Sequence, residues 1–321
     1  MSHRIPVVID TDPGVDDAVA IALAVASPEI ELLGVTTVGG NVGIELTTRN
    51  ALDVLAMAGR PDIPVAAGAA RPFAVERSAD AAVYHGGNGL GGVALQPSPS
   101  QPDPRGAVDL LVALIESSDR PVTVVAIGPL TNLAVLHAAH PATYSKIERI
   151  VMMGGGAHVL GNDSICAEFN IGYDPEGAAR VFSAGVPIVM VGLDVTEKAV
   201  TYPRDLEPLR AAGPLATALA RMIDFYMDRA AERLGERLSR LHDALAVAYL
   251  LDASLLDVQP YWVGVECAGT LTRGMTVVDV RHFTRREPNA LVAVDVDRDR
   301  FVDLLVARLT AHSRACSEAR P

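Results

Sequence analysis

The sequence predicts one α/β domain spanning residues 1–321, with a mostly parallel central sheet flanked by helices. Short apolar runs rich in β-branched residues alternate with longer alanine- and leucine-rich stretches of helical period. The apolar runs are continuous, as expected of parallel strands buried on both faces. Hydrophobic residues make up 50% of the chain and no long polar linker divides it, so we expect one core.

The elements follow one another in βα order from the start of the chain. Strands predicted at 6–9 and 30–37 alternate with helices at 16–26 and 44–58. Two segments without periodicity, 84–92 and 96–104, are rich in glycine and proline and are predicted loops. The alternation then resumes with a helix at 107–117, a strand at 122–127, a helix after Pro129, a strand at 150–153, a helix at 175–182 and a strand at 187–191. The rest is predicted to be mostly helical over 206–251, with strands at 261–267, 276–280 and 290–294 and a closing helix near 300–311.

The turn after the first predicted strand is unusually acidic. Ligands of open α/β sheets bind beyond the carboxyl ends of the strands, so a site is expected in such turns. The run Asp10-Thr11-Asp12-Pro13-Gly14-Val15-Asp16-Asp17 holds four carboxylates within eight residues. Asp16 and Asp17 can cap the following helix, which accounts for one or two of the acids.

Four converging carboxylates repel one another unless hydrogen bonds or a cation neutralise them. Calcium or magnesium is the natural cation for oxygen ligands. The spacing does not match an EF-hand, so ligands from other strands must complete the shell. The acidic run therefore predicts a metal site assembled from several parts of the chain.

A histidine-aspartate pair, His242-Asp243, precedes a predicted helix at 244–252. Asp243 is either a further metal ligand or a helix cap. Histidine titrates near neutrality, so His242 could give a proton to a leaving group. The pair alone is a weak signal.

A third group of polar residues follows the strand predicted at 150–153. The glycines at 154–156 allow close approach of the backbone to a ligand, and Asn162, Glu168 and Asn170 supply the donors and acceptors that sugar hydroxyls require. The alternative is a flexible loop with solvated polar residues. The run 128–132 after another strand is either part of the site or only the start of a helix, and no glycine loop ends in the lysine of a nucleotide-binding P-loop.

The net charge and the cysteine content limit which binding partners and which cellular compartment we expect. The formal net charge of −12 disfavours nucleic acid and anionic membranes as partners. Cys166, Cys267 and Cys316 form no CxxC pattern, so we expect neither a disulfide framework nor a zinc site, and a cytoplasmic location fits best. The chain runs almost directly into a strand and has no apolar run near the ~20 residues of a membrane span, so we expect a soluble, unprocessed protein.

Taken together, the motifs resemble one known family, the inosine-uridine preferring nucleoside hydrolases. The run from Asp10 to Asp17 is similar to the family's DxDPGxDD signature. The later blocks follow in the family's order, namely Gly40-Asn41, 128–132, 153–156, Asn162, 168–170 and His242-Asp243. The resemblance covers the chain from residue 5 to about residue 310. It implies a nucleoside hydrolase-like α/β domain that cuts the N-glycosidic bond of ribonucleosides with water, binds one calcium ion and forms a homodimer or homotetramer.

The resemblance also implies roles for individual residues. Calcium would be held by Asp12, Asp17, Asp243 and the backbone carbonyl of Ile127, with Asp10 supporting from close by. The residues implied to bind the substrate are Asp16 at the ribose hydroxyls, Asn162 and Glu168 at the 5′-hydroxyl, Asn170 against the ribose, and Asn41 and His85 near the metal and the base. His242 would face the base as a candidate acid, so that Asp12, Asn170 and His242 form the implied catalytic set.

The bond to be cut suggests how such residues would work. An N-glycosidic bond breaks through an oxocarbenium-like ribosyl cation, so the enzyme must supply water, stabilise positive charge and help the base depart. The resemblance implies that calcium orients and acidifies the water and that Asp12 takes its proton. Contacts of both vicinal ribose hydroxyls with the metal and with Asp16 would make a deoxyribonucleoside a poor substrate.

The segment 229–241 lacks the tyrosines that stack on the base in some members of the family. The loop from Gly156 to Asn162 is also a residue longer than expected. The preference for one base over another therefore stays open.

Two other functions fit parts of the pattern. A haloacid dehalogenase-type phosphatase would use Asp10 and Asp12 as its DxD motif. It also needs a phosphate-gripping lysine, and the only lysines, Lys146 and Lys198, stand in no such context. A non-catalytic calcium-dependent sugar-binding protein would use the same carboxylates without turnover, but the base Asp12 and the acid His242 speak against it.

Overall fold

The computed structural model describes residues 4–75 and 82–318. The strands are β1 (Ile5–Thr11), β2 (Ile30–Thr37), β3 (Val65–Ala67), β4 (Val122–Ala126), β5 (Ile147–Met153), β6 (Ile188–Val191), β7 (Val200–Thr201), β8 (Ser239–Arg240), β9 (Leu256–Tyr261), β10 (Val263–Val265), β11 (Thr276–Val278) and β12 (Ala290–Val296). The α-helices are α1 (Val15–Ala26), α2 (Ile44–Met57), α3 (Ala82–His85), α4 (Ala107–Ser117), α5 (Thr131–Ala139), α6 (Pro141–Tyr144), α7 (Phe169–Tyr173), α8 (Pro175–Phe182), α9 (Leu193–Thr196), α10 (Glu207–Arg210), α11 (Pro214–Leu234), α12 (His242–Leu251) and α13 (Arg298–Glu318).

Eight strands form one sheet in the order β3-β2-β1-β4-β5-β6-β12-β9. Neighbouring strands are parallel throughout except for β9, which runs antiparallel to β12 at one edge. The predicted mostly parallel sheet is confirmed. Strands β2 and β3 lie on one side of β1, whereas β4, β5 and β6 lie on the other. The winding therefore reverses beside β1, and ligands bind at such a reversal in open α/β sheets.

Alternate residues of each strand face opposite sides of the sheet, so two cores form. Val7 and Ile9 of β1 pack in one core with helices α1, α2, α11, α12 and α13. Val8 packs on the other face with Leu111 of α4 and Leu133 of α5. Because helices cover both faces, the strands read as continuous apolar runs in the sequence.

Helix α1 is enclosed by other elements. All ten residues from Val15 to Ala24 are buried, and α1 packs against α2, α11, α12 and α13. Asp16 and Asp17 lie in its first turn and are therefore buried carboxylates. Buried charges of this kind need partners inside the protein or from a bound ion.

The structure corrects several predicted boundaries. Strand β1 continues through Asp10 and Thr11, so the acidic run begins inside the strand. Helix α12 begins at His242 with Leu241 at the cap position, so Asp243 lies within the first turn and its alternative interpretation as a helix cap is wrong. The strand predicted at 261–267 is two strands, because β9 joins the main sheet whereas β10 pairs with β11.

Other differences concern short elements. The loop predicted at 84–92 begins inside α3, and the mostly helical stretch 206–251 is interrupted by β8, which pairs with β7. The three-residue edge strand β3 is too short to show a period and was not predicted. None of the helices within residues 4–75 and 82–318 is long and apolar enough to cross a bilayer.

Candidate active site

Asp10 connects β1 to strand β2 and to helix α5 by hydrogen bonds. Its Oδ1 accepts hydrogen bonds from Thr36 Oγ1 of β2 at 2.5 Å and from Asn132 Nδ2 of α5 at 2.8 Å. Burial raises the pKa of Asp10 to about 6, and the two hydrogen bonds limit the rise. The carboxylate is thus held by the scaffold, which is the geometry of a supporting residue.

Asp12 follows β1 and is fully buried. Its Oδ2 accepts a hydrogen bond from the Asn41 backbone N–H at 2.7 Å. Its Oδ1 is buried and has no hydrogen-bond partner among the described residues. A Cβ on Gly40 would collide with Asp12 Oδ2, and one on Gly128 would lie 2.7 Å from Oδ1, so both glycines are needed for this close approach. Burial raises the pKa of Asp12 well above its usual value, and the charge of Asp17 adds to the rise.

Asp17 is held mainly by its own turn. Thr11 Oγ1 donates to its Oδ1 at 2.5 Å, and the Gly14 N–H donates to Oδ2 at 2.9 Å. Asn41 Nδ2 also donates to Oδ2 at 3.0 Å. Burial raises the pKa of Asp17, and these hydrogen bonds oppose the rise.

Three carboxylates come together around Asp17. One oxygen each from Asp16, Asp17 and Asp243 lies within 4.8 Å of the others, and all three residues are buried. Burial raises the pKa of Asp16 to about 7 and that of Asp243 well above its usual value, and the neighbouring carboxylates add to both shifts. Carboxylates this close must share protons or neutralise a cation, so the group could hold a metal ion.

This group differs in one member from the predicted metal set. The prediction names Asp12 beside Asp17 and Asp243, whereas the three mutually close carboxylates are Asp16, Asp17 and Asp243. Asp12 is still part of the same cluster, because its charge contributes to the raised pKa of Asp243. The carboxylates of Asp12, Asp16, Asp17 and Asp243 therefore form one group.

Asn170 connects the ends of two strands. Its Nδ2 donates to the Ile127 carbonyl after β4 at 3.1 Å and to the Met153 carbonyl of β5 at 3.0 Å. The carbonyl of Ile127, predicted as a metal ligand, is thus held in place by a residue predicted to contact ribose. Asn170 is buried at the start of α7.

Glu168 is the N-cap of α7. It accepts hydrogen bonds from the backbone N–H groups of Gly155 at 2.9 Å, Asn170 at 3.0 Å and Ile171 at 3.2 Å. Burial raises the pKa of Glu168 to about 7 despite these bonds. Asn162 lies on the exposed loop before it, where its Oδ1 accepts from the Phe169 N–H at 3.0 Å.

His85 contacts a residue that the sequence did not single out, Tyr226. The Val15 N–H donates to His85 Nδ1 at 3.1 Å. Tyr226 Oη lies 2.8 Å and 2.9 Å from the two ring nitrogens and donates to Asp16 Oδ1 at 2.9 Å. Burial lowers the pKa of His85 to about 3, and the charge of His242 adds to the effect.

A signal for Tyr226 exists in the sequence. Helix α11 buries Leu219, Met222, Ile223 and Met227, and position 226 falls on the same face at helical spacing. The segment 229–241, where a tyrosine near the base was sought, contains none, whereas Tyr226 stands three residues before it in α11. A tyrosine on a buried face also needs a partner for its hydroxyl, which here is Asp16.

His242 is held by a second residue that the sequence did not single out, Thr196 of α9. The Thr196 Oγ1 lies 2.8 Å from His242 Nδ1, and Thr196 is fully buried. Burial lowers the pKa of His242 to about 4, and the positive charge of Arg240 contributes. This shift favours the neutral ring, which opposes the predicted role of His242 as an acid, and one ring nitrogen is fixed by the threonine.

A cavity of about 550 Å³ brings these groups together. The predicted residues that line it are Asp16, Asn41, His85, Ile127, Asn162, Glu168, Asn170, His242 and Asp243. Asp10, Asp12 and Asp17 are fully buried and are not among the residues that line it. A site of this size, with polar groups converging beyond the carboxyl ends of parallel strands, defines an enzyme for a small polar substrate.

Comparisons with known proteins identify the family. A model of the inosine-uridine preferring nucleoside hydrolase family matches residues 7–303. The pyrimidine-specific ribonucleoside hydrolase RihA of Salmonella enteritidis is 48% identical over 308 residues, which cover 95% of this chain and 98% of that protein. A purine-preferring ribonucleoside hydrolase from Gardnerella vaginalis superimposes with a TM-score of 0.91 at 33% identity, covering 97% of this chain and 99% of that one. A plant nucleoside hydrolase gives a TM-score of 0.89 at 36% identity, covering 96% and 99%.

The chain belongs to the inosine-uridine preferring nucleoside hydrolase family. It is a hydrolase of the N-glycosyl bond of ribonucleosides. The phosphatase alternative lacks its lysine, because Lys146 pairs with Glu116 and Lys198 pairs with Asp295 on the exposed surface, and neither lines the cavity.

Proposed function

We propose that this protein hydrolyses pyrimidine ribonucleosides to ribose and free base, with calcium as its metal. The observation that carries the proposal is the buried group of Asp16, Asp17 and Asp243 on a cavity of nucleoside size. The RihA proteins that support the pyrimidine preference are 47–48% identical to this chain, whereas the purine-preferring neighbour is 33% identical.

The residues present fit calcium. The group offers carboxylate oxygens, which hard cations prefer, and contains no thiol or imidazole ligand. Asp12 Oδ1 and Asp10 Oδ2 are buried without a hydrogen-bond partner among the described residues, as expected of atoms kept for a ligand. Asp12, Asp17, Asp243 and the Ile127 carbonyl would hold the ion, with Asp16 beside it. Bound calcium would supply the positive charge that lowers the pKa of water and holds vicinal hydroxyls.

Asp12 and Asp16 would have separate roles in the reaction. Asp12 has one oxygen fixed by Asn41 and the other without a partner, so it can accept the proton of the attacking water. Asp16 has Oδ1 fixed by Tyr226, which leaves Oδ2 for the ribose hydroxyls. The orientation of both groups is set before substrate binds, which lowers the entropy cost of reaching the transition state.

The opposite wall would hold the sugar. Glu168 is oriented by three backbone amides and would accept a hydrogen bond from the 5′-hydroxyl, and Asn162 keeps its amide N–H groups for the same hydroxyl. Asn170 would lie against the ribose. Asn41 and His85 line the side of the cavity near Asp16, and His242 would face the base.

The activity is tested with a substrate panel. Release of reducing sugar from uridine, cytidine, inosine and 2′-deoxyuridine should be fastest with uridine or cytidine and very slow with deoxyuridine, which lacks one vicinal hydroxyl. Faster turnover of inosine than of both pyrimidine nucleosides would overturn the proposed preference. No turnover of any ribonucleoside, with undiminished binding, would instead favour the non-catalytic sugar-binding function.

A homodimer or homotetramer is a further part of the proposal. Exposed apolar side chains such as Ile165, Leu271 and Phe283, each at least 77% exposed, support burial in an assembly. Light scattering coupled to size exclusion measures the mass, and a monomer would contradict this part alone.

A further inference from the structure

The cavity carries positive charge on the side of His242. Arg229 and Arg233 of α11 and Arg240 of β8 all line it, although the chain as a whole has a net charge of −12. The exposed acids on the same cavity are Asp163 and Glu197. The three arginines outnumber these two exposed acids, so the exposed part of the cavity lining favours negative charge.

Two of these arginines, Arg229 and Arg233, already have interaction partners within the protein. Arg229 pairs with Glu232 on its own helix at 2.8 Å. The Arg233 guanidinium lies over the Tyr84 ring at 4.8 Å. Neither contact involves the acids of the metal cluster.

Arg240 differs from both. It is half-buried, and its Nε, like that of Arg229, is buried without a hydrogen-bond partner among the described residues. Unlike those two, Arg240 makes no ion pair or ring contact within residues 4–75 and 82–318, and its charge helps to lower the pKa of the neighbouring His242. A guanidinium is always charged, and leaving one partly desolvated and unpaired is unfavourable. Such a residue beside a substrate cavity indicates that its partner is the substrate.

We propose that Arg240 binds the carbonyl edge of the departing base and stabilises the negative charge that develops on it. The inference rests on the proposed function and adds the residue that would hold the base as it leaves. When the C1′–N1 bond breaks, its electron pair passes to N1 and spreads onto the carbonyl oxygens of the pyrimidine. The water oxygen forms the new bond to C1′ and one of its protons passes to Asp12. The base anion takes a proton from solvent water after it leaves, and Asp12 returns its proton to solvent, so that the step balances.

This arrangement favours bases that leave as anions. A pyrimidine has no N7 to protonate, so positive charge beside its carbonyl groups is an alternative to an acid. A guanidinium can aim two N–H donors in a fixed geometry at one carbonyl oxygen of the base, which an ammonium cannot match. Uracil-type bases, with two carbonyl groups, are therefore the preferred leaving groups.

The test compares leaving groups in Arg240→Gln and Arg240→Lys. Loss of one preorganised donor typically lowers turnover about 10²–10³-fold, so Arg240→Gln should lower kcat/KM for uridine by at least about 10²-fold. The same variant should change kcat/KM for 4-nitrophenyl riboside less than about threefold, because nitrophenolate departs without help. Arg240→Lys should recover part of the uridine activity. The control is Arg237→Gln, since Arg237 pairs with Asp224 and Asp228 and does not line the cavity.

A second measurement does not depend on turnover. 5-Nitrouracil is ionised at neutral pH, whereas uracil is not, and calorimetry gives the affinity of each. The wild type should bind 5-nitrouracil more tightly, and Arg240→Gln should lose about tenfold or more of that affinity, as expected when a charged hydrogen bond is lost. Equal losses on uridine and nitrophenyl riboside, or unchanged binding of 5-nitrouracil, would overturn the role of Arg240. Wild-type protein that binds 5-nitrouracil through Arg240 but cleaves no ribonucleoside would overturn only the proposed function.

Discussion

Tyr226 Oη lies 2.9 Å from Asp16 Oδ1 and thereby joins helix α11 to the first turn of α1, across 210 positions of sequence. The same hydroxyl contacts His85, whose Nδ1 accepts from the Val15 N–H. With Nδ1 an acceptor, His85 Nε2–H donates to Tyr226, and Tyr226 donates to Asp16. The three side chains form one directed chain of hydrogen bonds that ends on the carboxylate proposed to bind ribose.

The first prediction concerns this chain. Tyr226→Phe removes a hydrogen bond to a charged group, which is worth about 1.5–3 kcal/mol, so kcat/KM for uridine should fall about 10–100-fold. The matched control is Tyr144→Phe, because the buried Tyr144 hydroxyl has no hydrogen-bond partner among the described residues. Steady-state kinetics of both variants decide the matter, and wild-type kinetics in Tyr226→Phe would show that Asp16 needs no such support.

Asp12→Ala should nearly abolish turnover. It removes the proposed base, whose loss typically costs about 10²–10⁴-fold, together with a proposed metal ligand. Asn170→Ala should lower turnover less and have a milder effect on the metal, because it frees the Ile127 and Met153 carbonyls without removing a carboxylate. Single-turnover rates and metal content of the two variants give the comparison. More than half of wild-type activity in Asp12→Ala excludes the proposed role.

One tightly held calcium is expected per chain. Burial raises the pKa values of Asp12, Asp16, Asp17 and Asp243, and neighbouring carboxylate charges add to the rise in Asp12, Asp16 and Asp243. A divalent cation would relieve this cost. Elemental analysis should find calcium, and a chelator should lower both activity and Tm, with recovery on adding calcium back. Full activity of metal-free protein would contradict this expectation.

His242 should matter unequally for different substrates. If it gives a proton to N7 of a purine base, His242→Ala should lower inosine hydrolysis about 10²–10⁴-fold and leave 4-nitrophenyl riboside almost unchanged. Thr196→Val, which removes the partner of His242 Nδ1, should show a weaker form of the same selectivity, and Thr196→Ser should restore it. Equal losses on the two substrates would indicate that His242 acts only through the position of Asp243.

Glu168 predicts how stability depends on pH. Its pKa is about 7 in the fold against an ordinary value of 4.5, so the folded state holds the proton more tightly than the unfolded state. The stabilisation is complete below pH 4.5 and is lost as the pH rises to about 7. In chelated protein, Tm should therefore fall over this interval, and Glu168→Gln should flatten this part of the slope, so that the difference in Tm from the wild type shrinks as the pH rises to about 7.

The control for Glu168 has the opposite sign. Glu116 lies on the surface, where Lys146 lowers its pKa, so Glu116→Gln should not flatten the fall of Tm. Thermal denaturation of the wild type and both variants across the pH range provides the readout. An unchanged slope in Glu168→Gln would show that Glu168 is ionised throughout.

Much of the fold and part of the site follow from local features of the sequence. Continuous apolar runs identified the parallel strands, because strands buried on both faces tolerate few polar residues. The run from Asp10 to Asp17 identified a group of acids that could hold a metal ion, because four acids within eight residues conflict with burial unless something neutralises them. Both signals arise within a few residues of the chain, so periodicity and spacing reveal them.

Only the tertiary structure decided which distant side chains meet. The closeness of Asp16 to Asp243, the bond from Tyr226 to Asp16 and the support of His242 by Thr196 all depend on how α1, α9, α11 and α12 pack. Arg240 likewise looks like an ordinary surface arginine in the sequence, and its lack of a partner emerges only when β8 pairs with β7 beside the cavity. Sequence alone encodes the burial preference of each residue, whereas the distances between elements are set by close packing of the whole core.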